Sequence, residues 1–575
     1  MTIPILIIFK RLHLLKNGFY IMLNTIPLYK FCSRTLNYFI RIYKKFTLES
    51  ILISIFALFM INNISLFKIP LYQEGDIAAN ALLILRAKKL ELLHGNYSRF
   101  GFYHPGPFFY YVYALGEIIL FDYLHLVPEP LNAHIISAFF LQLLFLYFSL
   151  TILNKIFNKN IHHLILIFSC LLFLRLIPYA WGNIWPPFMV IFPSITFLLS
   201  IIAVINKDFR NIPILIFSTG ALIHYHVSMP IFIAPPIAIL IFQFRRYIFT
   251  KIKLNLMNML NILLLIIFLL PFILDSLKLQ NSNLFRIFTF IRDNPFSFHS
   301  ITDILYYFFS YFSFTDLYNF FEVPVGCKEV CIGLIKTRVI FIFFWIFLIF
   351  SFIFLIKKIP YLNNTKIKNF KKTGLGLIGL EFLLAFYWSL IQKDELFLYN
   401  TYIMNSFLFL LFFICYTPIQ IILTRILAKN RLLKVVTLGL IAVLILFTTI
   451  PQQQSIRANQ ISNNYKSLLK FNPYKKQSIT LLIDETHWTD EITLFLFLKR
   501  AGKNVYFIEK NFQVHKILDL IFNPENRLPG NKYTSTSFWE VVTDSSKNTR
   551  PLTDDLSIRF FVYSDLEKNN YYWVH

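Results

Sequence analysis

The residues best suited to chemistry sit together in one short polar stretch between two apolar runs. It reads Tyr72-Gln73-Glu74-Gly75-Asp76, continues through a helical run over 77–93, and ends as Gly95-Asn96-Tyr97-Ser98-Arg99-Phe100-Gly101-Phe102-Tyr103-His104-Pro105-Gly106-Pro107. On an extended backbone, residues two apart project to one side, and Gly75 lets the chain bend between them. Glu74 and Asp76 are thereby able to share a divalent cation or the proton of one hydroxyl. Each also has an ordinary role. Asp76 stands directly before Ile77-Ala-Ala-Asn-Ala, where an Asp N-cap stabilises a helix by about 1 kcal/mol, and Glu74 reads as a solvated loop acid. Arg99 and His104 lie on a glycine-rich turn, with membrane headgroups or local hydrogen bonds as their plainer partners. Pro105-Gly106-Pro107 makes a rigid turn.

What must position these residues is a membrane-embedded chain. The sequence is 57% hydrophobic, with mean hydropathy +0.59 and only 15% charged residues, a makeup outside that of soluble domains. A helix needs roughly 20 apolar residues to cross about 30 Å of hydrocarbon, and such stretches recur over 47–450. The net charge of +25 gathers in the short loops between them, whereas from Pro451 onward 16 Lys and Arg face 13 Asp and Glu. Charge so distributed reports topology and attraction to anionic headgroups and argues against nucleic-acid binding.

Assigning the basic loops to the cytoplasmic side puts the N-terminus inside. Those loops hold Lys155 and Lys159, Lys207 and Arg210, Arg245 to Lys253, Lys357 to Lys372, and Arg425 to Lys434. The resulting spans are eleven: about 48–67, 131–153, 162–178, 187–206, 211–227, 229–244, 256–275, 338–356, 374–391, 398–423 and 432–450. The alternation requires that the apolar segment 108–124 not cross. That segment is short and carries Glu117 and Asp122, each costing up to roughly 3 kcal/mol at mid-bilayer. It is expected to lie as an interfacial or re-entrant helix on the outer surface. The outside then receives 68–130, the long loop 276–337 and residues 451–575, while 1–45 forms a basic membrane-surface segment inside.

The tail changes character. A strand-like run over 479–483, a helical run over 491–500, the stop Ala501-Gly502 and a second strand-like run over 505–508 predict a small α/β unit. No phosphate-binding glycine loop accompanies it, so covering a site or binding an acceptor is its expected role. The expected architecture is an all-α polytopic membrane domain over 46–450 and a C-terminal α/β extracytoplasmic domain over 451–575.

The polar stretch resembles the first outer loop of the GT-C superfamily of membrane glycosyltransferases. The likeness lies in an acid after the first span, the run from Gly95 to Pro107, and the apolar interfacial helix that follows. It extends to Trp185-Pro186-Pro187, where relatives often read Trp-Asn-Pro, and to His224-Tyr225-His226-Val227, covering about residues 48–230. Within the superfamily the chain looks like an uncharacterised bacterial multi-span group, distantly similar to lipid A aminoarabinose transferases and protein O-mannosyltransferases. The resemblance implies a hexosyl or pentosyl transferase in the bacterial inner membrane. Such an enzyme takes a sugar from a polyprenyl-phosphate carrier at the outer face and passes it to a hydroxyl of a lipid, glycan or protein. Asp76 matches the first-loop acid that serves as base or metal ligand. The superfamily's paired acids appear here as Glu-Gly-Asp, and lipid A aminoarabinose transferases have Lys-Pro-Pro where this chain has His104-Pro105-Gly106-Pro107.

Displacing a lipid phosphate from an anomeric carbon needs a base for the acceptor hydroxyl and positive charge for the departing phosphate. Asp76 is the expected base, with Glu74 its helper or a metal partner. Arg99 is the expected phosphate contact, because a guanidinium matches phosphate oxygens in pairs and stays charged. His104 and Arg86 stand in reserve, and Tyr97 is a further candidate for substrate binding. Arg175, near the outer end of its span, suits the same phosphate, an interhelical ion pair with Glu381, or snorkelling to the surface. His226 fits interfacial hydrogen bonding or the site, and Trp185 fits an aromatic belt or sugar stacking. Two carboxylates with no further ligand cluster leave the need for a divalent cation open. Cys327 and Cys331 pair only with suitable backbone geometry.

Two other classes handle lipid-linked glycans. A transporter or flippase predicts inverted repeats and interrupted helices at mid-bilayer, which the sequence does not display. A polymerase or ligase predicts a large basic outer loop, whereas 276–337 is aromatic and mixed in charge.

Overall fold

The computed structural model describes residues 48–157, 160–177, 180–251, 256–279, 282–294, 298–312, 339–356, 364–393, 396, 401–446, 456–471, 478–484, 486–509, 517–529, 536–543 and 549–561. The basic segment 1–45 and the Cys327 and Cys331 pair lie outside them.

Helices dominate because hydrocarbon offers no partner to an unpaired backbone N–H or C=O. In chain order they are α1 (Leu48–Asn62), α2 (Gly75–Lys88), α3 (Phe108–Gly116), α4 (Pro130–Phe157), α5 (His163–Arg175), α6 (Ile191–Ile205), α7 (Ile212–Tyr225), α8 (Met229–Lys251), α9 (Leu256–Ser276), α10 (Asn283–Asp293), α11 (Ile301–Phe312), α12 (Val339–Ile356), α13 (Thr365–Ile391), α14 (Met404–Lys429) and α15 (Arg431–Leu446). Each of the expected spans overlaps one of these helices. Among the described residues, five segments are long and apolar enough to cross a membrane: Pro130–Phe157, Pro186–Ile205, Leu256–Ser276, Thr365–Ile391 and Met404–Ala428. Their surroundings differ sharply. The apolar window of Pro186–Ile205 is 94% buried, which makes α6 the central helix, whereas that of α9 is 6% buried and turns its side chains outward.

The segment expected to lie at the interface is α3 followed by a π-helical turn, Glu117–Tyr123. The helical run expected over 77–93 starts earlier and stops sooner, as α2. It ends because Leu90 adopts a φ of 61°, a left-handed backbone that cannot continue a helix.

The C-terminal part adds α16 (Ile456–Phe471), β1 (Ser478–Ile483), α17 (Trp488–Arg500), β2 (Asn504–Glu509), α18 (Ile517–Phe522), β3 (Thr536–Val542), β4 (Thr549–Pro551) and β5 (Ser557–Phe561). The predicted strand–helix–strand run appears as β1, α17 and β2. The sheet order is β2-β1-β3-β5-β4, with β1 parallel to β2 and β3, and β5 antiparallel to β3 and β4. All of β1 is buried, as an apolar central strand of a parallel core must be.

The two parts share α2. Its Leu83, Ile84 and Ala87 belong to the core of the helical bundle, while Ala78, Ala79, Ala81 and Leu82 pack with Ile479, Leu481, Ile492 and Phe495 of the sheet unit. The alanines keep this helix thin enough to be enclosed from both sides.

Candidate active site

The acidic pair does not sit on an extended backbone. Glu74 is the N-cap of α2, with φ −135° and ψ 161°, and the helix begins at Gly75. Asp76 is therefore inside the first turn and not the capping residue, where its charge complements the positive end of the helix dipole. Glu74 is exposed and Asp76 half-buried, the first outside the helix and the second within it. Gly75 is required by its backbone, at a φ of +49°; Thr489 Cγ2 of α17, 3.6 Å from where a Cβ would lie, leaves room for one.

Asp76 is held by the loop that follows α2. Residues 95–104 fold into a hairpin: Gly95 N–H donates to His104 O (2.8 Å), His104 N–H to Asn96 O (2.7 Å) and Ser98 N–H to Phe102 O (2.8 Å). That ladder sets Tyr97 opposite Tyr103, and the Tyr97 hydroxyl donates to Asp76 Oδ1. Burial, then the Asp76 charge, pushes the Tyr97 phenol well above its ordinary value of 10.0, so it remains a proton donor. Tyr110 stands beside this pair and donates to Asn80 Oδ1 at 2.9 Å. Burial, then Tyr113 and Asp76, pushes it up as well. The Tyr113 hydroxyl is buried with no hydrogen-bond partner among the described residues. Asp76 thus faces two protonated phenols, Tyr97 through its hydrogen bond and Tyr110 beside it.

Two predicted residues meet each other. The His104 and His226 rings lie 4.2 Å apart, and burial, then His226, pushes His104 well below 6.5. His104 Nδ1 is buried without a partner among the described residues, while His226 Nδ1 lies 2.8 Å from Ser228 Oγ. His224, next along, is structural. Its Nε2–H donates to Phe268 O at 2.7 Å, and a Cβ on Gly106 would come within 2.3 Å of its Cγ. Pro105-Gly106-Pro107 therefore needs its glycine for close approach, and Gly106 N–H ties the turn to His224 O at 3.1 Å.

Other predicted residues go elsewhere. Arg99 is exposed at the hairpin tip, its guanidinium 5.3 Å from the Phe100 ring. Arg86 pairs with Glu525 at 2.6 Å, which directs it to the C-terminal unit. Trp185 precedes the turn Pro186–Met189, its ring 5.7 Å from Phe188. Arg175 is exposed at the end of α5. The Arg175–Glu381 ion pair does not form: Glu381 is fully buried and neither of its oxygens has a hydrogen-bond partner among the described residues. Also among the described residues, no group of three or more His, Cys, Asp and Glu is placed to hold a metal ion.

Sequence reading missed what fastens the sheet unit over Asp76. Within the sheet unit, Arg457 of α16 pairs with Asp490 (2.8 Å) and Asp555 (2.6 Å) and ties α16 to α17. Burial pushes the Asp490 carboxyl up, Arg457 partly offsets this, and Asp555 and Glu74 add to it, which puts Glu74 on the sheet unit's side of α2. Glu117, noted only as a charge unfit for mid-bilayer, is fully buried. It takes Arg500 of α17 at 2.9 Å, Lys88 of α2 at 2.8 Å and His134 of α4 at 2.7 Å. Burial alone would raise its pKa, but the His134 hydrogen bond and Arg500 outweigh that and hold it well below 4.5. The one available signal was a carboxylate in an apolar run, which marks an unseen cation but does not identify it.

The chain matches no protein-family model and no curated protein. Among solved structures it is similar to the crystal structure of ArnT from Cupriavidus metallidurans in the apo state, at 11% identity over 88% of this chain and 98% of that chain, with a TM-score of 0.48. The same protein bound to undecaprenyl phosphate is similar at 11% identity over 89% and 98%, with a TM-score of 0.44.

Proposed function

We propose that the chain is a GT-C-type membrane glycosyltransferase with eleven spans, an inner N-terminus and a C-terminal unit outside. It moves a sugar from a polyprenyl-phosphate donor to a hydroxyl acceptor at the outer face of a bacterial inner membrane. The observation that carries this reading is the Tyr97 hydrogen bond to Asp76 at the start of α2, beneath a unit that shields it from water.

The acceptor hydroxyl gives its proton to Asp76 as its oxygen bonds to the anomeric carbon. The bond from that carbon to the phosphate oxygen breaks with its electron pair, releasing polyprenyl phosphate. Tyr97, kept protonated, fixes one carboxylate oxygen and leaves Oδ2 for the proton. Tyr110, Tyr113 and His104 supply donors for a sugar, and Arg99 supplies charge for the departing phosphate. Glu74 assists from the solvent side.

The test compares surface glycolipids and glycans, by mass spectrometry, in cells carrying the wild-type gene, no gene, or Asp76→Asn. Loss of the same glycan in the deletion and in a normally inserted Asp76→Asn variant is the expected result. Full glycan in Asp76→Asn cells overturns the assignment.

A further inference from the structure

Two cations at one edge of the bundle stand apart from this chemistry. Lys278 follows α9 and Arg286 lies in α10, and both are exposed. The junction between them is firmly built. The Asp275 carboxylate accepts from Asn283 N–H at 2.8 Å, and the Asn283 amide clasps the Tyr103 backbone, accepting from its N–H and donating to its O, both at 2.7 Å. The His94 ring stacks on Tyr103 at 3.7 Å. Burial, then Arg86, and after it Lys278 and Arg286, pushes His94 down to about 3, so three cations converge on this corner.

The carboxylates nearby are already committed. Glu525 pairs with Arg86 at 2.6 Å and Asp519 with Arg527 at 2.6 Å, while Asp275 is turned to the α10 backbone. Lys278 and Arg286 have no carboxylate partner among the described residues. Apolar surface adjoins them. Ile273 and Leu277 of the α9 end are 56% and 72% exposed, and Leu284, Phe288 and Ile291 line one exposed face of α10 at helical spacing. The opposite face of α10 packs inward, with Phe290 against Phe100 at 4.8 Å. An amphipathic helix that shows hydrocarbon outward beside uncompensated cations lies at a bilayer surface.

We propose that Lys278 and Arg286 hold the phosphate of a bilayer phospholipid whose acyl chains lie along the exposed faces of α9 and α10. This is not the phosphate displaced at Asp76. Arg86 is ten residues further along α2, which at 1.5 Å per residue is about 15 Å away, and its guanidinium is turned to Glu525. Through Asn283 and Tyr103 the bound lipid steadies the hairpin that carries Tyr97.

The full chain in detergent, titrated with phosphatidylglycerol and read by native mass spectrometry, tests this. Retention of phosphatidylglycerol but not of diacylglycerol with the same chains is expected, with at least a fivefold loss in Lys278→Gln/Arg286→Gln. Lys278→Arg should keep retention, which separates charge from misfolding, and millimolar inorganic phosphate should not displace the lipid. Equal retention in the double variant overturns the site. So does displacement by inorganic phosphate, which would make it a free-anion site, or by equimolar undecaprenyl phosphate, which would make it the carrier's place. None of these results bears on the role of Asp76.

Discussion

The Tyr97 hydroxyl donates to the Asp76 carboxylate across 21 residues of sequence, joining the hairpin to the first turn of α2. A hydrogen bond to a charged group contributes about 1.5–3 kcal/mol. Tyr97→Phe is expected to lower the rate of sugar transfer by about one to two orders of magnitude, with membrane insertion unchanged. Steady-state kinetics on reconstituted protein checks this; a fall confined to donor KM would instead make Tyr97 a binding residue.

Arg500 and Glu117 form the link by which the sheet unit grips the interfacial helix. Removing one partner of a buried ion pair costs about 3–5 kcal/mol, because the other charge is left uncompensated. Glu117→Gln is expected to lower the melting temperature by several degrees. Adding Arg500→Gln to that variant should cost less than Arg500→Gln costs alone, a coupling that a double-mutant cycle on thermal melts measures.

Gly106→Ala forces a methyl into the His224 ring, where a Cβ would lie 2.3 Å from Cγ. Overpacking of this kind costs about 1–3 kcal/mol. Reduced yield of folded protein by size-exclusion chromatography is expected, and His224→Ala in the same chain should restore part of it. No rescue would place the strain in the proline-flanked turn itself.

Acid should destabilise the protein in two steps. His104 has a folded pKa well below 6.5, so the unfolded chain takes its proton first, and the stability it contributes above 6.5 is lost as pH falls below that value. Glu117 is held well below 4.5, so the stability it contributes above 4.5 is lost below it. Melting temperature is expected to be flat between pH 7 and 8, to fall below about 6.5 and to fall further below about 4.5. His94, pushed down to about 3, adds to the first step, so His104→Gln should shrink that step and leave the second unchanged; an unchanged first step in that variant would assign it to other groups.

Much of the fold was legible because hydrocarbon and water impose strong, local demands on residue type. The apolar runs marked the helices, Glu117 and Asp122 marked 108–124 as unlike the rest, and the alternation of strand and helix patterns near 479–508 gave the first half of the sheet unit. Spacing also brought the right residues into one stretch, since Glu74, Asp76, Tyr97 and His104 all lie between α1 and α3. What it misjudged was their geometry. A helix beginning at Gly75 makes Glu74 its exposed N-cap and sets Asp76 half-buried in its first turn, neither of them on an extended strand, and a hairpin carries Arg99 at its tip. The partners of Arg86, Glu117 and Tyr103 include Glu525, Arg500 and Asn283, the nearest of them 180 residues away. Residue types can demand a partner for a buried charge or amide, but only tertiary packing decides which distant residue supplies it.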